Sequence, residues 1–137
     1  MQLIILLAHA FFLSGQATTP AVRQLAESTI KNCRPEFHTL VMTIAFKESS
    51  FRSGVSNISS DVGIMQINAI HGHTFTERLD INFSVKEACK LLDTHYKFRH
   101  NDKMWFARYH SKTKSLKKGY YESIWKLLSR GHYEKED

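Results

Sequence analysis

Apolar residues recur at helical spacing along almost the whole chain, and the recurrence breaks once, over residues 51–82. Such a pattern predicts a compact all-α domain with one long irregular insert. At 137 residues the chain holds a single domain, and 42% hydrophobic residues with only 2 Pro and 6 Gly exclude a disordered chain. No internal repeat, low-complexity tract or linker divides it.

The helices can be placed from their punctuation. Thr19 caps a helix with Pro20 at its first position, and Val22, Leu25, Ala26, Thr29, Ile30 and Cys33 share one face. Phe37, Leu40, Val41, Ile44 and Ala45 stripe a second helix that ends near Ser49 or Ser50. Ser84 and Glu87 form a capping box for a third, Asp102 caps a fourth, and Gly131 stops a last one carrying Tyr120, Ile124 and Trp125. Within the insert, Ile64-Met65-Gln66-Ile67 fits either a short strand or a turn leading into a short helix.

Leu3 to Leu13 is apolar except for His9, and the small residues Ser14-Gly15-Gln16-Ala17 follow. We expect residues 1–17 to be a secretory signal peptide and 18–137 the mature domain. A buried N-terminal helix is the alternative, since Gln2 supplies no positive charge. No hydrophobic run is long enough to span a bilayer. The net charge of +6 falls wholly in residues 84–137, densest at Lys112, Lys114, Lys117 and Lys118. That face suits a polyanion or is simply solvated; for an exported chain, nucleic acid is the least expected partner.

Glu48 lies eleven residues after Phe37, three helical turns plus about 20°, so it points with the apolar face. Burial and the helix C-terminus would both push its pKa up, as a general acid requires. Position alone favours the other reading, a frayed-end glutamate reaching into water, since most such glutamates are surface residues. His71-Gly72-His73 lacks further ligands at a metal-site spacing, so no metal is expected.

Ile44-Ala45-Phe46-Lys47-Glu48-Ser49-Ser50-Phe51, followed by Asp61-Val62-Gly63-Ile64-Met65-Gln66-Ile67-Asn68, resembles the lytic transglycosylase pattern. Ala107-Arg108-Tyr109-His110-Ser111 resembles that family's Ala-x-Tyr-Asn segment, and Tyr120 with Ile124-Trp125 its final helix. The closest resemblance is to the small exported members associated with type IV secretion and conjugation.

The resemblance implies a lysozyme-like fold and cleavage of the β-1,4 bond between N-acetylmuramic acid and N-acetylglucosamine in peptidoglycan, leaving a 1,6-anhydro product. It implies Glu48 as the catalytic residue, with Ser49, Met65, Gln66, Asn68, Tyr109, His110 and Tyr120 binding substrate. His110 stands in place of the family's Asn, and Asp61 reads as a loop-shaping acceptor. No cofactor is implied. The expected setting is periplasmic or otherwise extracytoplasmic, as a monomer acting on glycan strands with a secretion or conjugation apparatus as partner. A muramidase hydrolase and a non-catalytic wall-binding assembly subunit are the alternatives. Cys33 and Cys89 lie on apolar stripes, which fits two buried thiols; in an exported chain, and by resemblance to members with a cysteine before the catalytic helix, a disulfide is expected.

Overall fold

The computed structural model describes residues 2–56, 61–109 and 114–133, without the side chains of 114–116 and 130–133. Among the described residues six α-helices follow in chain order: α1 (Gln2–Ser14), α2 (Pro20–Asn32), α3 (His38–Ser49), α4 (Phe75–Leu79), α5 (Ile81–Arg99) and α6 (Lys114–Tyr133). Between α3 and α4 lies a two-stranded antiparallel hairpin, β1 (Asp61–Val62) and β2 (Ile67–Asn68), with Val62 opposite Ile67. Among the described residues no helix is long and apolar enough to cross a membrane.

The core is organised around α3. Leu40 to Ala45 are buried without a break, so this middle stretch of the helix is covered all round, while Lys47 near its end is exposed. Its cover comes from α1, α2, α5 and α6. Helix α2 starts where its punctuation places it: the Thr19 hydroxyl accepts from the Val22 N–H at 3.2 Å, with Pro20 at the first position. Cys33 follows the last turn of α2 and is joined to Cys89 of α5 in a disulfide with Cα atoms 5.6 Å apart.

Residues 2–14 are not set apart from the fold. Leu6, Ala10 and Leu13 are buried, and His9 Nε2 lies 2.9 Å from Thr43 Oγ1 on α3. The opposite face of α1 leaves Ile4, Ile5 and Phe11 exposed.

Three boundaries differ from expectation. Helix α5 begins at Ile81, capped by Asp80, whose Oδ1 accepts from the Phe83 N–H at 2.7 Å. Ser84 is instead buried inside that helix, donating to the Arg78 carbonyl at 2.6 Å, while the capping box is formed by Thr74 and Glu77 at the start of α4. The expected fourth helix is a 3₁₀ run, Trp105–Tyr109, and α6 continues through Gly131 to Tyr133. The 3₁₀ run is held by ring packing: Trp105 sits 5.3 Å from Phe37 and 5.2 Å from Tyr96, with the Arg34 guanidinium over both of those rings. Of the expected basic run, Lys112 lies outside the described residues, Lys117 is half-buried and Lys118 is exposed.

Candidate active site

The backbone turns sharply as α3 ends. Ser50 and Phe51 have φ of 54° and 64°, and Gln66 in the hairpin turn has φ of 52°; among the described residues these are the only non-glycine positions with positive φ. Each such conformation costs on the order of 1 kcal/mol or more and tends to mark a functional turn. Burial of Phe51 against Phe46, with ring centroids 5.3 Å apart, holds the bend after Glu48.

That bend brings residues 63–67 against the end of α3, and hydrogen bonds fix them there. The Ser49 hydroxyl lies 2.9 Å from the Ala45 carbonyl and 2.8 Å from that of Ile64, its one proton shared between helix and loop. Gln66 Nε2 donates to the carbonyls of Gly63 and Val55 at 2.8 and 3.1 Å. The Tyr109 phenol donates to the Met65 carbonyl at 2.6 Å. Arg78, itself buried, donates from Nη1 to the Ile67 carbonyl at 3.0 Å. Gly63, at φ 87°, lies so close to the Arg78 carbonyl that a Cβ would fall on it. Asn68 Nδ2 donates to Asp61 Oδ1 at 2.8 Å across the hairpin, and its own Oδ1 accepts from the Ile70 N–H.

Glu48 is half-buried, and its Oε1 is shut off from solvent. Tyr109 and Tyr120 both face this carboxylate. Burial, then the charges of Glu48 and Asp61, raise the Tyr109 pKa well above the usual phenol range. Burial, then Glu48, Tyr109 and the phenol–carboxylate contact, do the same to Tyr120. Both phenols therefore stay protonated as neutral hydrogen-bond donors at any physiological pH. A carboxyl with one shielded oxygen and the Tyr120 phenol beside it as a neutral donor is equipped to give and take back a proton, while the Tyr109 proton is held by the Met65 carbonyl. Asp61 is near enough to act on Tyr109, but one of its oxygens is occupied by Asn68.

The residues singled out from the sequence fall into two groups. Tyr109 and Tyr120 are both buried within reach of the Glu48 charge. Ser49, Met65, Gln66 and Asn68 instead shape the loop: Met65 is fully buried, and the Gln66 amide nitrogen turns inward to backbone carbonyls. His110 lies outside the described residues. Sequence reasoning passed over Arg78, which ties α4 to β2; its one signal is that no other Lys or Arg stands between Arg52 and Lys86. Among the described residues no group of three or more His, Cys, Asp or Glu could hold a metal ion.

A mainly α-helical domain with one carboxylate at the end of its central helix and a short hairpin beside it is the lysozyme-like architecture. The transglycosylase SLT domain model matches residues 27–118, and the chain belongs to that family of peptidoglycan-acting proteins. No curated protein and no solved structure matches the chain.

Proposed function

We propose that the chain is a lytic transglycosylase in which Glu48 alone serves as acid and base. What supports this is a Glu48 carboxyl with one oxygen shut off from solvent and two buried phenols, Tyr109 and Tyr120, within reach of its charge. The protonated carboxyl gives its proton to the glycosidic oxygen, and the bond to the anomeric carbon breaks. The resulting carboxylate takes the proton of the muramic acid 6-hydroxyl, whose oxygen closes on the anomeric carbon. Glu48 is left protonated, and no water is consumed. Because the nucleophile belongs to the sugar already bound, no second carboxylate is needed to activate one.

Tyr120 holds a neutral donor against Glu48 through the cycle, while Tyr109, its proton on the Met65 carbonyl, walls the site. Asp61 and Asn68 keep the hairpin in shape, and Ser49, Met65 and Gln66 fix the segment facing the acid. His110 contacts the sugar where the family carries Asn.

Residues 1–17 direct export, and the domain works outside the cytoplasm as a monomer. Its role, as in the small exported members it resembles, is to open the wall locally for a secretion or conjugation apparatus. The test is to digest purified sacculi and weigh the released muropeptides. Anhydro products, lighter by one water than hydrolysed ones, are expected; free reducing ends would make the chain a muramidase, and no release would make it a wall-binding subunit.

A further inference from the structure

Helix α1 is apolar on both sides, and only one side is covered. At about 100° per residue, Leu6, His9, Ala10 and Leu13 fall on the face buried against the domain. Ile4, Ile5, Ala8, Phe11 and Phe12 fall on the opposite face, in a stripe roughly 120° wide. All five are exposed, Ile4 at 69%. No Asp, Glu, Lys or Arg interrupts residues 2–14. Single exposed apolar residues are ordinary, but a continuous stripe of large ones marks an interaction face. The helix is also held in one orientation: His9 bonds to Thr43, and Gln2 Oε1 lies 3.2 Å from His38 Nδ1. The outer stripe therefore stays outermost.

The neighbouring helix indicates what covers it. Helix α6 packs against α1. On α6, Lys118 and Trp125 are seven residues apart, so they share one stripe to within about 20°. Both are exposed, Trp125 at 58%. Lys126 is exposed further round, and Glu122 is the one acid between residues 117 and 133. Helix α2, which also packs against α1, pairs Arg23 with Glu27 at 3.0 Å and adds no net negative charge. An apolar stripe beside lysines and a tryptophan fits an anionic bilayer surface: acyl chains take the stripe, the indole sits among headgroups, and the ammonium groups meet phosphates. With 13 residues at about 1.5 Å each, α1 is roughly 20 Å long, short of the ~30 Å hydrocarbon core, so it lies in the surface plane. A second copy is the poorer occupant, because pairing two α1 faces would bring two lysine-bearing α6 helices together.

We infer that α1 stays attached to the domain after export and docks the protein, outer stripe first, on an anionic phospholipid bilayer. The docking is independent of the reaction at Glu48 and needs only that residues 1–17 are kept. It holds the domain at the membrane face instead of releasing it.

The full chain is sedimented with vesicles of phosphatidylcholine alone, or of phosphatidylcholine with an equal part of phosphatidylglycerol. Binding to the anionic vesicles is expected, about tenfold tighter than to the neutral ones. Ile5→Gln/Phe11→Gln changes only exposed side chains, and should keep the melting temperature while weakening binding at least about tenfold. Lys118→Glu/Lys126→Glu should remove the preference for anionic vesicles. Trp125 emission, read by difference from Trp125→Phe, should shift to the blue as α1 and α6 meet the bilayer together. No vesicle binding, or binding unchanged by Ile5→Gln/Phe11→Gln, would overturn the inference. So would an unmoved Trp125, since α1 would then leave the domain to insert alone, or an exported chain whose intact mass corresponds to residues 18–137. A dimer that Ile5→Gln/Phe11→Gln abolishes, in place of vesicle binding, would give the stripe to a second copy and overturn it too.

Discussion

The phenol of Tyr109 and the backbone carbonyl of Met65 meet at 2.6 Å although the residues are 44 positions apart in sequence. Ser49 holds the neighbouring Ile64 carbonyl from the end of α3. One short segment is thereby held between α3 and the 3₁₀ run. The position of Glu48 relative to its phenols then depends on backbone contacts on both flanks.

Both phenols titrate above their ordinary value of 10.0 in the folded chain. A proton held more tightly by the native state than by the unfolded one contributes stability that is fully present below the unfolded pKa. That stability is lost as pH rises from about 10 towards the folded value. Melting temperature should therefore be insensitive to these groups near neutrality and fall above about pH 10. The Tyr109→Phe/Tyr120→Phe double variant should fall less steeply in that range, and an identical slope would place both phenols in ordinary surroundings.

Gly63→Ala should be severe. Its φ of 87° disfavours any side chain, and the added Cβ would meet the Arg78 carbonyl. A loss of about 2 kcal/mol or more is expected from strain and displacement of the hairpin, with activity falling too. Gly54→Ala is the control, since nothing lies within 4 Å of the added Cβ. Equal melting temperatures for the two variants would contradict the close packing of Gly63.

The Cys33–Cys89 bridge spans 56 residues and ties α2 to α5. The chain-entropy model assigns a loop of that length about 4 kcal/mol. Replacing both cysteines by Ala should lower the denaturation midpoint accordingly while leaving turnover per folded molecule nearly unchanged. Loss of turnover in a fully folded variant would give the bridge a role beyond holding the scaffold.

Export with removal of residues 1–17 would uncover the face of α3 that α1 covers. Leu6 and Leu13 alone gain roughly 3–6 kcal/mol by burial, before the entropy of ordering the helix is set against it. A chain beginning at Thr18 should melt below the full chain. An equal melting temperature would show that α1 adds nothing to the domain, and the intact mass of the exported protein reports whether it is cut.

The parts of this fold legible in the sequence are those written in local rules. Thr19 and Pro20 announce α2, and the interval from Phe37 to Glu48 carries the acid round to the covered face of α3. The rest depends on tertiary partners. Ser84 and Glu87 satisfy the spacing of a capping box, but Asp80 lies nearer the end of α4 and takes the cap, freeing the Ser84 hydroxyl for the Arg78 carbonyl. Strands of two residues are too short to show alternation, so the hairpin left no periodic trace. Gly131 stands where a C-cap is common, yet the helix passes through it. In the site, the motif identified Ser49 and Gln66 as polar residues beside the acid, but only the folded chain shows their groups turned to backbone carbonyls.

The central claim is that one carboxyl, Glu48, performs both proton transfers. Its most direct test compares turnover of sacculi by Glu48→Gln and Asp61→Asn, each checked for an unchanged fold. Glu48→Gln keeps the shape of the side chain but has no proton to give, and should lose at least ~10²–10⁴ in rate. Asp61→Asn keeps an acceptor for Asn68 and should retain most activity. Near-parental turnover by Glu48→Gln, or a loss as complete in Asp61→Asn, would contradict the single-carboxylate account.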